Sequence, residues 1–488
     1  MAWRRTLVIC VLALSCGTTA DAGPWAEVGD AQTRSDVELA AAYGLVNNVT
    51  MQWPAPWTGI LGSLQDERQT DELPPEVREA AARLLAKGRE AVHVGRAHAE
   101  IAIDATNTPA TVRGYDALGR GKAQAQAVYE YVSSDAAVRL AVGSQTLNRG
   151  DKQGLVFDDS YIAARIDGMI VYAGYLQRWW GPGWISAMSL SNNARPMPQI
   201  GFSRVQTDQS RSWLLSWLGP WQAEIMVGLM DGPRTDINTG YVAVRVDINP
   251  LPGLEIAGSR TTQICGRHHD CRPLVNYFTL SNDDQHVNST NDQGSIELRY
   301  TNSVFSQPFA LYAQLMNEDS SPLVHSVTSK LFGGSVWLPF RGLTGRLTLE
   351  YANSLPTEDL WGGRIFHGSA YNNTRYTDGM RYRKRTLGFS LDSDSVLYSA
   401  QASVIDPEQR TWTLTYHRAL VSSSLNTFGN IITNTPVRFN ALEARLSLPM
   451  RWGDYAARID ASGRWQSDQP RPEQGSALAV EVALRFGI

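Results

Sequence analysis

Beyond its first 22 residues this chain has no uninterrupted apolar run of the about 18 residues that a transmembrane helix requires. A helical span is therefore excluded for the processed protein. Charge of one sign is also lacking. The formal net charge is -4 with 19% charged residues, so no nucleic acid or other polyanion partner is indicated at whole-chain level. Catalytic signatures are missing too. There is no H-E-x-x-H and no G-x-S-x-G, and Gly121-Lys122 runs into Ala123 without the upstream spacing of a phosphate loop. The eight His are scattered, and none pairs with a Ser and an acid at a usable spacing. Carboxylate pairs exist at Asp158-Asp159, Asp283-Asp284 and Asp392/Asp394. Such pairs serve glycoside cleavage only at a set separation, which a sequence does not reveal. No catalytic residue, metal site or cofactor is assigned.

Cysteine is scarce: there are four, of which Cys10 and Cys16 lie in an N-terminal export leader. The leader has Arg4 and Arg5, an apolar core over 6–14 and Ala20-Asp21-Ala22 as an A-x-A cleavage site. Residues 1–22 are thus a signal peptide, with cleavage near Ala22. Ala-Leu-Ser-Cys at Cys16 is a poor lipidation signal. Cys265 and Cys271 remain, flanking Gly266-Arg267-His268-His269-Asp270. In an oxidising compartment the pair reads as a disulfide clipping a loop. A metal site using His268 and His269 is the rival.

What the chain does have is Trp and Tyr, 15 and 18 of them against 12 Phe. These rings favour places with one apolar and one wet side, such as membrane interfaces and sugar sites. Residues 23–91 read as helical. Ser35-Asp36-Val37-Glu38 has capping-box spacing before an apolar run that ends at Gly44. Pro74-Pro75 precedes a second helix over 76–87, and Trp53-Pro54-Ala55-Pro56-Trp57 is a stiff connector between them. From about residue 92 the period becomes two. Leu478, Val480, Val482, Leu484, Phe486 and Ile488 share one face, with small or charged residues on the other, as in a barrel wall between lipid and a polar lumen.

Tight turns are indicated at Ser134-Asp135, Asp167-Gly168, Gly219-Pro220, Pro252-Gly253, Gln307-Pro308, Arg341-Gly342, Asp406-Pro407 and Gly453-Asp454. Long polar loops alternate with them, at 105–121, 149–154, 181–209, 231–239, 263–292, 318–326, 353–384, 419–436 and 467–475. Short turns at one end and long loops at the other give an all-β transmembrane barrel of about 18 antiparallel strands over 92–488. A small N-terminal α-helical bundle at 23–91 then lies on the periplasmic side.

Two runs could bind a saccharide. Trp179, Trp180 and Trp184 offer flat faces for stacking, and Asn192, Asn193 and Arg195 offer planar hydrogen bonds. An interfacial girdle with loop packing explains them equally well. The second run spans 361–394, with Trp361, Arg364, His367, Tyr371, Asn372, Asn373, Arg375, Tyr376, Asp378, Arg381, Tyr382, Arg383, Lys384 and Arg385. Cations between Tyr and Asn suit an acidic polysaccharide. A solvated basic loop meeting lipopolysaccharide phosphate is the plainer reading.

The chain resembles the Wzi family of capsule-assembly outer-membrane proteins. The resemblance rests on Arg178-Trp179-Trp180-Gly181-Pro182-Gly183-Trp184 with Ser191-Asn192-Asn193-Ala194-Arg195-Pro196. It rests also on Gly368-Ser369-Ala370-Tyr371-Asn372-Asn373 with Tyr376-Thr377-Asp378-Gly379-Met380-Arg381-Tyr382-Arg383. Supporting runs are 253–261, 308–315 and the mature leader from Gly29-Asp30 to Leu39 and Trp53-Pro54. The resemblance implies a single-chain barrel with an N-terminal helical bundle at the periplasmic end. It also implies a non-enzymatic, lectin-like role in holding capsular or extracellular polysaccharide at the cell surface. Outer-membrane lipid and lipopolysaccharide are the other expected partners, and a monomer is the expected state. The Cys265–Cys271 loop is not a feature the resemblance brings. The alternatives are a porin or substrate-specific channel, which needs an open lumen with charged constriction residues, and an outer-membrane hydrolase.

Overall fold

The structure is a computed structural model. It describes residues 25–47, 49–64, 73–95, 97–146, 154–269, 271, 290–305, 307–318, 327–340, 342–360, 362–423, 429–452, 455–468 and 477–487. The leader with its cleavage site, Asp283-Asp284, Trp361 and the Gly453-Asp454 turn lie outside these residues.

Eighteen antiparallel strands close the barrel, each paired with the next in sequence. The last, Leu478–Gly487, pairs with the first, Ala97–Thr106. A short extra strand, Gly362–Ile365, pairs with the upper end of Leu343–Asp359 alone, while the body of that strand pairs with Val396–Ile405. Alternation drives the closure. In the last strand Leu478, Val480, Val482 and Leu484 are exposed on the outside, and Ala479, Glu481 and Ala483 are buried within. Outward side chains of this kind suit hydrocarbon, and closure leaves no unpaired strand edge in it.

Two of the tight turns carry the residues their geometry demands, whereas Gln307-Pro308 begins a strand and the turn lies just before it, with Phe305 at φ 50°. Asp167 and Gly168 have φ of 47° and 78°, the paired left-handed conformation of a two-residue hairpin. At Pro252-Gly253 the glycine takes φ 76°, which a type II turn requires after proline. Gly219-Pro220 is not a tight turn. It ends a connection over 205–220 between strands Gln199–Arg204 and Trp221–Met230, and that connection holds a 3₁₀ turn at Ser216–Leu218. Gln199–Arg204 itself falls inside the 181–209 stretch that the sequence assigns to a loop. Only Ile200 and Phe202 are apolar on its outward face, which is too short an alternation to stand out.

Among the described residues three helices precede the barrel: α1 (Ala31–Ala42), α2 (Trp57–Leu64) and α3 (Pro75–Ala91). The first starts one turn before the Ser35 capping-box signal. Asp30 is its N-cap, accepting from the Thr33 N–H at 3.1 Å and from the Thr33 hydroxyl at 2.6 Å. Ser35 instead accepts from Trp337 Nε1 on the wall at 3.1 Å. Residues 33–41 of α1 are buried on every face, charged ones included, because the helix lies against a polar lumen. No apolar stripe is needed there. The connector at 52–56 is extended, and Gln52–Trp53 pairs with Trp179–Trp180. The second helix, α2, has no counterpart in the sequence reading. The helices sit at the end of the barrel that carries the short turns: α1 reaches Arg299 and Trp337 near the feet of their strands.

Candidate functional site

After strand Met169–Gly174 the chain turns into the lumen over 175–198. The tryptophan run is the centre of this inner loop. Trp179 and Trp180 have no exposed surface and Trp184 almost none. Tyr115 is the hub, meeting Trp53, Trp179 and Trp184 edge to face at 5.6, 5.7 and 5.8 Å. Burial holds its phenol well above the usual value, so it stays neutral. The Arg34 guanidinium lies over Tyr115 at 4.6 Å and over Trp184 at 4.4 Å. Trp179 Nε1 donates to the Gly183 carbonyl at 2.8 Å and Trp184 Nε1 to Glu38 at 3.1 Å.

Wall side chains grip the same loop. Glu350 accepts from the backbone N–H groups of Trp184, Ile185 and Ser186 and from the Tyr312 hydroxyl. Gln314 accepts from the Met188 N–H at 2.8 Å and donates to the Trp180 carbonyl at 3.2 Å. Glu38 pairs with Arg34 of its own helix at 2.9 Å and ties α1 to the wall residue Arg299 at 2.8 Å. Burial alone would raise the Glu38 carboxyl; Arg299 and Arg34 outweigh it and hold it below its ordinary value.

Asn192, Asn193 and Arg195 are buried as well. Asn192 donates to the Tyr115 carbonyl at 2.8 Å and Asn193 to the Thr386 carbonyl at 2.8 Å. Arg195 is clamped on Asp158 at 2.6 Å. The first run is therefore a packed interior, and its ring faces are covered. A stacking platform needs an open face, so the sequence reading is corrected on this point.

The second run closes the long-loop end. Tyr371 is buried and donates to the Met188 carbonyl at 2.5 Å, joining the two runs. Asp392 has no exposed surface. It accepts from Arg381 at 2.9 Å, Thr386 at 3.0 Å and the Ile431 N–H at 2.6 Å. Asp394 accepts from the Gly368 N–H at 2.8 Å. Asp158, Asp392 and Asp394 are thus structural acceptors. Tyr376 is buried, donates to the Cys265 carbonyl at 3.0 Å and stacks on His269 at 3.9 Å. Tyr382 donates to Asp231, and Arg383 pairs with the same carboxylate at 3.0 Å. Asp378 accepts from the Thr235 N–H at 2.7 Å. Asn372 donates to the Gly368 carbonyl at 3.0 Å and Asn373 to Asn291 at 3.1 Å. Cys265 and Cys271 are joined by a disulfide. No group of three or more His, Cys, Asp or Glu is placed to hold a metal among the described residues.

The two runs meet, as one stack and not as one open face. A continuous buried cluster passes from Val37 and Trp57 in the helices through Trp179 and Trp184 to Tyr371, Phe389 and Leu391. What remains outside at the long-loop end is the edge of the second run. Arg364, His367, Arg375, Thr377 and Lys384 are exposed, and Asn372, Asn373, Asp378 and Arg383 are half-buried. Exposed Arg267 and His268 and half-buried Arg234 stand on neighbouring loops. A cavity of about 490 Å³ lies among the helices, the inward loops and the wall, lined by Asp30, Lys87, Arg113, Asp159, Arg458 and Arg485 among others. The sequence reading does not find the residues that build the plug: Arg34, Glu38, Tyr115, Gln314 and Glu350. A charged residue on the inner face of a wall strand looks the same whether it faces water or a packed loop.

A closed antiparallel wall with an apolar outside, holding its own helices and loops inside, is the architecture of a plugged outer-membrane barrel. The model of the family described as capsule assembly protein Wzi matches residues 93–463, and the chain belongs to that family. Escherichia coli Wzi is described as an outer-membrane protein involved in group 1 capsule assembly and a carbohydrate-binding β-barrel. It superimposes with a TM-score of 0.81 over 95% of this chain and 98% of its own, at 16% identity, a likeness of fold. A Klebsiella pneumoniae protein, described as an uncharacterized 55.8 kDa protein in the cps region, is 23% identical over 195 residues. That match spans 39% of this chain and 38% of the relative's length. Pseudomonas aeruginosa OprD reaches a TM-score of 0.42 at 9% identity, over 81% of this chain and 96% of its own, too distant to carry an argument.

Proposed function

We propose that this protein is a non-enzymatic, lectin-like barrel that binds capsular or other surface polysaccharide and helps hold it at the cell surface. The observation that carries the reading is the continuous buried cluster through the lumen, from the helices to the outer loops. A diffusion channel needs an open constriction lined by charge; here the charged wall residues grip an inner loop instead. Family membership and the carbohydrate binding described for the Escherichia coli protein give the ligand class. The helical segment at 23–91 closes the periplasmic end, following the habit of short periplasmic turns. The protein acts as a monomer in contact with lipid and lipopolysaccharide, after removal of residues 1–22.

The binding face is the exposed rim of the second run, with Arg375, Lys384, Asn372, Asn373 and Asp378, joined by Arg234 and Arg267 from the neighbouring loops. Exposed cations beside amides suit an acidic glycan. Binding of the refolded protein to its host's surface polysaccharide tests this, with Arg375→Glu plus Lys384→Glu as the variant. Saturable binding that falls at least about tenfold in the variant, a loss of roughly 1.4 kcal/mol, supports both the function and the face. Saturable binding unchanged by the variant moves the face elsewhere. Absence of binding by the wild-type protein overturns the function.

A further inference from the structure

Among the described residues, the 205–220 connection is a long short-turn-end link that leaves the wall, and its tip is apolar and exposed. Trp213 is 86% exposed, Trp217 64% and Leu214 60%. A loop of polar residues would be expected on a surface facing water. The tip is also built. Gln209 bridges to Pro220, and its side-chain amide donates to the Ser216 carbonyl at 2.7 Å. Leu215 N–H donates to the Ser212 carbonyl at 3.0 Å, and Leu218 N–H to the Leu215 carbonyl at 3.1 Å. Its root is anchored from within: Thr58 donates to the Val205 carbonyl at 3.0 Å, and Asn47 to the Thr207 carbonyl at 3.2 Å. The Arg204 guanidinium covers the ring of Trp221, where the next strand begins, at 4.2 Å.

The position of the tip identifies what covers it. Gly219 presses on the Asn249 carbonyl so closely that a Cβ there would sit 1.8 Å from the oxygen. The Asn249 N–H also donates to the Pro220 carbonyl at 2.8 Å. The tip therefore lies beside the foot of strand Thr239–Leu251, at the rim where the apolar outer wall ends. Leu251, Val304 and Phe305 are exposed at the same rim. Trp at such a level has its body in hydrocarbon and its N–H in the headgroups. Exposed Arg211, two residues before the first tryptophan, is placed for a lipid phosphate.

We propose that residues 209–218 form a membrane foot, which seats Trp213, Leu214 and Trp217 in the headgroup–acyl boundary of the periplasmic leaflet beside the barrel. The occupant of this patch is phospholipid, and the apolar patch is continuous with the lipid-facing wall. The proposal rests on the outer-membrane reading. An amphipathic segment of this kind binds through its buried apolar area, supplemented by attraction to anionic lipid.

The test uses the full chain inserted in phosphatidylethanolamine–phosphatidylglycerol vesicles, with Leu214→Cys carrying an environment-sensitive fluorophore. Thr435→Cys at the long-loop end is the water-exposed reference. The foot is supported if the label at 214 emits to the blue of the reference. It should also be quenched several-fold more by nitroxides at the lipid headgroup, and less by iodide, in line with burial at the interface. Emission and iodide access equal to the reference in a properly inserted barrel overturn the foot and leave the patch to a periplasmic protein. Failure of the unlabelled chain to insert, read as loss of the heat-modifiable folded band, would instead sink the outer-membrane reading.

Discussion

Replacing Glu38 by glutamine is the sharpest probe of how the lumen is held shut. Its carboxylate joins Arg34 and Arg299, whose side chains are at most 1% exposed, and accepts from Trp184 Nε1. Glutamine keeps the shape and loses the charge. Two buried guanidinium groups then face each other across a neutral side chain. Arg34 retains the Pro182 carbonyl at 2.8 Å and the two ring faces; Arg299 retains Thr301 at 3.2 Å. Removing one partner of a buried ion pair costs about 3–5 kcal/mol. The wall ladder does not use Glu38, so the loss falls on the docking of α1. Local opening of α1 should rise by a factor of about 100 to several thousand, which is that cost expressed as an equilibrium. Amide hydrogen exchange in detergent measures it directly, comparing residues 33–41 with strand Gln307–Glu318. Adding Arg299→Met to Glu38→Gln should recover part of the protection, because one stranded charge is then gone. Protection of α1 unchanged to within about threefold in Glu38→Gln would refute the idea that this triad holds the plug, since opening free energy reads out directly in exchange.

Glu350→Ala should release the inner loop without unfolding the wall, because it strands three backbone N–H groups and one phenol. At about 1–3 kcal/mol per stranded donor, planar-bilayer recordings should show frequent conducting events in the variant and a quiet wild type; equal traces would count against the grip described here. Asp159 gives a pH signature. Burial, then the neighbouring Asp158, push its carboxyl up to about 6. Its folded value thus lies above its unfolded one, so ionising it opposes folding as pH rises from about 4 to 6, and that penalty persists above. Asp159 sits at φ 67°, a conformation asparagine tolerates. Asp159→Asn should therefore melt higher than wild type at pH 7 and no higher at about pH 4; the same difference at both would remove the cause assigned.

The wall was legible in the sequence because lipid and lumen impose opposite demands on alternate residues, as Leu478 to Leu484 show. Strand Gln199–Arg204 was not, since only Ile200 and Phe202 are apolar on its outward face and it sits behind a conspicuous motif. The helix start was missed because Ser35-x-x-Glu38 imitates a capping box, while Ser35 and Glu38 are spent on the wall and inner loop. The candidate site shows the deeper limit. Trp179, Trp180, Asn192 and Arg381 were recognisable as a constellation, and the structure does bring their runs together. Residue types that suit a sugar, rings beside amides and guanidinium groups, also suit a tightly hydrogen-bonded polar interior. Burial alone distinguishes the two, and burial inside a barrel leaves no periodic trace.

The seam between Ala97–Thr106 and Leu478–Gly487 joins the two ends of the wall around material made from residues 25–64 and 175–198. The pairing that seals the barrel needs strand Leu478–Gly487, whereas its contents include residues that precede the first strand. An assembling molecule must hold its N-terminal helices and inner loop within an open sheet until the last strand arrives, or admit them through a mouth afterwards. On the first route the interior is a template as well as a stopper: a sheet that curls around Glu38 and Tyr115 has its curvature specified before its edges meet.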